Sequence, residues 1–107
     1  MDHLVTRNKF SQPVTRKEVM FAWQGRGFDC HTFIDPAGQE WNGFVHETDE
    51  LVTVIEGQLL ITVNNQCFLV DPGDEVFIPQ NIVHSVENPS NGITRWLFGY
   101  NQPSHNS

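Results

Sequence analysis

The chain has 107 residues, 38% of them hydrophobic and 11% aromatic, which suits one domain with a modest core. Thirteen acidic against six basic residues give a formal net charge of −7, with no Lys/Arg cluster beyond Arg16 and Lys17; this argues against nucleic acid and anionic membranes as partners. No apolar run approaches the length of a transmembrane helix and the first residues lack the apolar stretch of a signal peptide, so the expected compartment is the cytoplasm.

Residues 1–18 mix charge with Pro13 and read as an N-terminal arm or lead-in strand of a single domain spanning 1–107. From Val19 the texture is β throughout, and no segment shows a sustained 3.6-residue period. Val19 to Trp23 is a short apolar run ended by Gln24-Gly25-Arg26-Gly27, and Phe28 to Ile34 runs to the turn Asp35-Pro36-Ala37-Gly38. Gly43 to Thr48, Leu51 to Ile55, Gln58 to Val63 and Cys67 to Val70 read as strands. Asn64-Asn65 forms a two-residue hairpin loop that needs positive φ. Glu75 to Ile78, Val83 to Val86 and Ile93 to Tyr100 complete the series before a polar tail over 101–107. Many short strands with regular turns predict a sandwich, jelly roll or barrel. Cys30 and Cys67, far apart and outside any CxxC, read as small buried hydrophobes rather than a disulfide.

Chemistry concentrates in Phe44-Val45-His46-Glu47-Thr48-Asp49-Glu50. Were this segment extended throughout, His46 and Glu50 would share a face, which is half of a metal site. Alone, such a pair is more often a solvated or hydrogen-bonded surface contact. A second group follows some distance on, with Gly73, Pro79, His84 and Asn88.

With both groups in view the sequence resembles the cupin superfamily, as a small single-domain member. The family's first motif, G-x5-H-x-H-x3-4-E-x6-G, is matched at His46, Glu50 and Gly57. Its second, G-x5-P-x-G-x2-H-x3-N, is matched at Gly73, Pro79, His84 and Asn88, with Asn81 in a glycine position. Asn tolerates the left-handed backbone such a turn requires. The resemblance implies an all-β fold, the cupin double-stranded β-helix or jelly-roll barrel. It also implies a divalent metal (Zn, Fe, Mn or Ni) held by His46, Glu50 and His84. The family's first histidine is replaced by Phe44, which leaves a 2-His-1-carboxylate set with open positions; His31 and Gln39 are the candidates for a fourth ligand.

Two outcomes stay open for these residues. One is a three-ligand metal site; the other is a barrel without metal, in which Phe44 fills space and the histidines hydrogen-bond to Glu50. Trp41, Phe44, Phe77, Trp96, Phe98 and Tyr100 are expected to line a pocket for a small organic ligand. The implied function is a metal-dependent oxygenase, isomerase or lyase, with a non-catalytic small-molecule or metal-sensing module as the alternative. Tyr100 and His31 are the candidate general bases. No helix-turn-helix segment accompanies the acidic charge, and a homodimer, joined by a sheet edge that includes Val19 to Trp23, is the expected assembly.

Overall fold

The computed structural model describes residues 4–101. Nine strands and one helix alternate with tight turns: β1 (Val5–Thr6), α1 (Arg16–Gln24), β2 (His31–Asp35), β3 (Glu40–Phe44), β4 (Glu50–Glu56), β5 (Leu59–Val63), β6 (Gln66–Val70), β7 (Glu75–Ile78), β8 (His84–Glu87) and β9 (Thr94–Tyr100). The strands form two antiparallel sheets, ordered β1-β7-β4-β9-β2 and β3-β8-β5-β6. The jelly-roll architecture expected from the sequence is therefore the one observed.

Alternation drives the packing between the sheets. Leu59, Ile61 and Val63 of β5, Val52 and Val54 of β4 and Val76 and Ile78 of β7 all point inward and are buried. The β5–β6 hairpin turns at Asn64 and Asn65, both at positive φ (47° and 70°), as a tight two-residue loop demands. Asn81 likewise sits at φ 61°, so it does adopt the left-handed turn of the glycine it replaces.

The other face of β4 is also dry. Leu51 of β4 and Leu97 of β9 join Val19, Trp23, Phe28 and Cys30 in a second cluster outside the five-stranded sheet. This explains why β4 reads as a continuous apolar run: a strand covered on both faces has no polar side to show.

That second cluster corrects the reading of residues 19–23. They are helical, part of α1, and not an edge strand available for pairing. The local signal was Thr15 followed three residues later by Glu18: the Thr15 hydroxyl caps the helix by accepting the Glu18 N–H at 3.2 Å. Val19 and Trp23, one helical turn apart, are the buried face. At nine residues the helix is too short for its period to stand out. Trp23 is fixed to the barrel by its indole N–H, which donates to Glu75 Oε2 at 2.8 Å, and Arg26 pairs with the same carboxylate.

The lead-in segment contributes a two-residue strand, with Val5 opposite Val76. Of the expected polar tail only Asn101 is described, and it bridges to Phe28. Residues 102–107, like His3, lie outside the described residues. Both cysteines are free; Cys30 is buried as expected, whereas Cys67 is exposed because it faces outward on the edge strand β6. Among the described residues no helix is long and apolar enough to cross a membrane.

Candidate functional site

Two strand ends and a connecting loop converge at one end of the barrel. Glu50 opens β4, opposite Ile78 on one side and Tyr100 on the other. His84 opens β8, opposite Phe44 and Val63. His46 lies in the connection 45–49, which bends instead of staying extended. Alternation therefore does not place it; the bend does. The Asn81 N–H donates to the His46 carbonyl at 2.7 Å and the Gln80 N–H donates to Asp49 Oδ1 at 2.9 Å, so the second motif's turn pins the first motif's loop.

The result brings one donor atom from each of His46, Glu50 and His84 within 4.8 Å of one another. Glu50 Oε1 is 3.3 Å from His84 Nε2 and 3.7 Å from His46 Nε2. Glu50 is 5% exposed and His84 3%. The His84 Nδ1 faces the Ile82 carbonyl at 3.3 Å. A carbonyl can only accept, so a proton on Nδ1 satisfies this contact and leaves Nε2 as the ring atom that faces Glu50. Glu50 Oε1 is buried and has no hydrogen-bond donor. A ring nitrogen and a carboxylate oxygen thus face each other at 3.3 Å, an arrangement completed by a proton or a cation between them. Two nitrogens and a carboxylate oxygen are a donor set that fits a divalent metal, with the Ile82 carbonyl orienting one of the rings.

Phe44 stands where another nitrogen ligand would be. Its ring lies nearly parallel to His46 (11°, centroids 6.1 Å apart) and 5.9 Å from His84. It walls the cluster on the side of a cavity of about 170 Å³. From Phe44 the aromatic wall continues to Trp41 and Phe33, then to Trp96, with neighbouring centroids 5.6 to 6.1 Å apart. It returns through Phe98 and Tyr100 to His46 at 5.4, 5.8 and 5.0 Å, closing a ring around the cavity.

Of the residues expected to line the pocket, Trp41, Phe44, Trp96, Phe98 and Tyr100 do so. Phe77 does not. It sits opposite Leu51 and packs against both hydrophobic clusters away from the cavity. Phe33 and Val86, which the sequence reading missed, complete the lining. They face Trp96 and Trp41 across their sheets, so alternation along β2 and β8 carried the signal once the pairing was known. Also missed was Asp35, whose carboxylate accepts the indole N–H of Trp41 and of Trp96, each at 3.0 Å.

Neither proposed fourth ligand joins the cluster. His31 is half exposed, pairs with Asp29 at 3.2 Å and rests on Phe98. Gln39 lies in the β2–β3 turn and donates to the Glu40 carbonyl at 3.3 Å. Tyr100 does stand at the site, its hydroxyl 3.4 Å from His46 Nε2. Burial, reinforced by the negative charges of Glu50 and Asp29, pushes its pKa up to about 12. It is consequently a hydrogen-bond donor at neutral pH and a poor general base.

Comparison with known proteins agrees with the fold. The cupin domain profile matches residues 31–100. The HTH-type transcriptional regulator PuuR of Escherichia coli is 38% identical over 55 residues, covering 51% of this chain and 30% of the regulator. The uncharacterized protein MJ1618 of Methanocaldococcus jannaschii is 36% identical over 59 residues, covering 54% of this chain and 47% of that protein. The matches thus span less than half the length of these relatives. Among solved structures, the plu4264 protein of Photorhabdus luminescens superposes with a TM-score of 0.65 at 25% identity, over 71% of this chain and 63% of that one.

Proposed function

The chain belongs to the cupin domain family, and from that premise we propose that its barrel holds a divalent metal through His46, Glu50 and His84 and binds a small organic molecule in the adjoining aromatic cavity. The observation that carries this is the buried Glu50 Oε1, without a hydrogen-bond partner among the described residues and 3.3 Å from His84 Nε2 and 3.7 Å from His46 Nε2. When bound, the metal (Zn, Fe, Mn or Ni) supplies Lewis acidity toward an oxygen of the ligand. The chain's own residues do the rest. The aromatic wall excludes water and orients the ligand, and Tyr100, protonated at neutral pH, offers a hydrogen bond beside His46. An apolar cavity of about 150 Å³ holds benzene, so one of about 170 Å³ suits a small molecule. Oxygenase, isomerase and lyase chemistry on such a ligand all remain within this reading.

Metal analysis of the purified protein tests it. We expect close to one metal per chain after reconstitution, and none in His46→Ala or His84→Ala. A metal-free parent protein after reconstitution would end the proposal. A second reading, non-catalytic ligand sensing, draws on the 38% identity to a transcriptional regulator; saturable ligand binding without turnover would favour it. We further propose a cytoplasmic homodimer joined through an open sheet edge, β2 or β6, since each ends its sheet.

A further inference from the structure

We propose that the cavity's indole end receives a small organic cation, an ammonium or sulfonium group held against Phe33, Trp41 and Trp96, the two indoles being backed by the buried Asp35 carboxylate. This rests on the reading of the cavity as a small-molecule site and adds the charge of its occupant.

Asp35 is 0% exposed. Its Oδ1 accepts from Trp41 Nε1 and its Oδ2 from Trp96 Nε1, each at 3.0 Å. Among the described residues no Lys, Arg or His pairs with it. A buried carboxylate with hydrogen bonds but no counter-charge is costly to keep. Asp35 does not itself line the cavity but braces two of the indoles that do, and the lining contains no Lys or Arg. A ligand carboxylate at this end would find no Lys or Arg to pair with and would lie on the indoles that Asp35 backs.

The rings in front of Asp35 are suited to a diffuse positive charge. Phe33 meets Trp41 and Trp96 edge-to-face, at 73° and 70°, so the three rings do not stack flat, and all three line the cavity. Indole N–H groups donating to an anion are polarised toward it, which leaves the π faces richer in electrons. Aromatic faces attract cations, and more strongly where water is excluded. A bare metal ion would find no nitrogen or oxygen lone pair among these three rings. A methylated ammonium or sulfonium, by contrast, is weakly hydrated and fits the apolar wall. This end lies apart from the His46–Glu50–His84 cluster, with Phe44 between them on one side and Phe98 and Tyr100 on the other.

The test titrates the full chain with choline and with 3,3-dimethylbutan-1-ol, its uncharged counterpart of the same shape. Calorimetry is the readout, on zinc-loaded protein and on metal-free His46→Ala. Choline is expected to bind about tenfold tighter or more, and Trp41→Leu and Asp35→Asn are each expected to bring the ratio toward one without changing zinc content in the parent background. Trp41 is half-buried on β3, so its variant serves should the Asp35 change prevent folding. Equal or tighter binding of the alcohol overturns the inference and leaves the small-molecule reading standing. An unchanged ratio in folded Trp41→Leu also overturns it. No saturable binding of either probe also overturns the inference.

Discussion

Phe44 sits 5.9 Å from the His84 ring and nearly parallel to His46, and it controls how many nitrogens reach the cluster. Its position on β3 is opposite His84 itself, so a histidine there would direct a third imidazole to the same point. Phe44→His is therefore expected to raise zinc affinity by roughly tenfold or more, as a four-ligand site replaces a three-ligand one. Competition against a chromophoric chelator measures this. An unaltered affinity would mean that the side chain at 44 does not reach the ion. The same residue explains the openness of the proposed centre: an apolar ring cannot occupy a coordination position, so that side of the cluster faces the cavity.

At the scale of elements, the corner between β1 and β7 is held by one carboxylate. Asp74 accepts the Arg7 guanidinium at 2.8 Å, the Asn8 N–H at 2.9 Å and the Asp71 N–H at 3.0 Å. Burial pushes its pKa up, but the backbone donors and Arg7 outweigh burial and hold it below the ordinary 3.8. A carboxyl depressed by folding contributes stability above its unfolded pKa, and that contribution is lost as pH falls through the folded value. Stability is thus expected to drop below about pH 4. Asp74→Asn should be less stable at pH 7 by about 1–3 kcal/mol and show a weaker loss on acidification. Denaturant midpoints measured at pH 7, 4 and 3 check both parts, and parallel pH curves for the two proteins would contradict the assignment. Gly73, just before this corner, has φ +94°, and a Cβ there would fall 2.5 Å from the Phe10 carbonyl. The glycine of the second motif is thus required by the close passage of the N-terminal arm.

For the whole molecule, the five-stranded sheet ends at β2 and the four-stranded sheet at β6, and both carry half-exposed apolar side chains, Ile34 and Leu69. Light scattering is expected to give twice the chain mass at micromolar concentration; the monomer mass at all concentrations would refute the dimer. The helix cannot serve as that edge, because Val19 and Trp23 are consumed in covering the outer face of the sheet. The sequence by itself determined most of the strand series, the hairpin at Asn64-Asn65, the left-handed Asn81 and the membership of His46, Glu50 and His84 in one candidate cluster, but it set the strand at Gly43 to Thr48 where the strand is Glu40–Phe44 and 45–49 bend. These were legible because turn chemistry and motif spacing are local properties of the chain. Only the tertiary structure decided that residues 19–23 coil into a helix, that Phe77 faces away from the cavity and that His31 and Gln39 stay clear of the cluster. The brace that Asp35 provides to Trp41 and Trp96 was likewise invisible in the sequence. The physical reason is common to all of these: each depends on which strands become neighbours and which face of the sheet is covered, and such pairings join residues far apart in the chain.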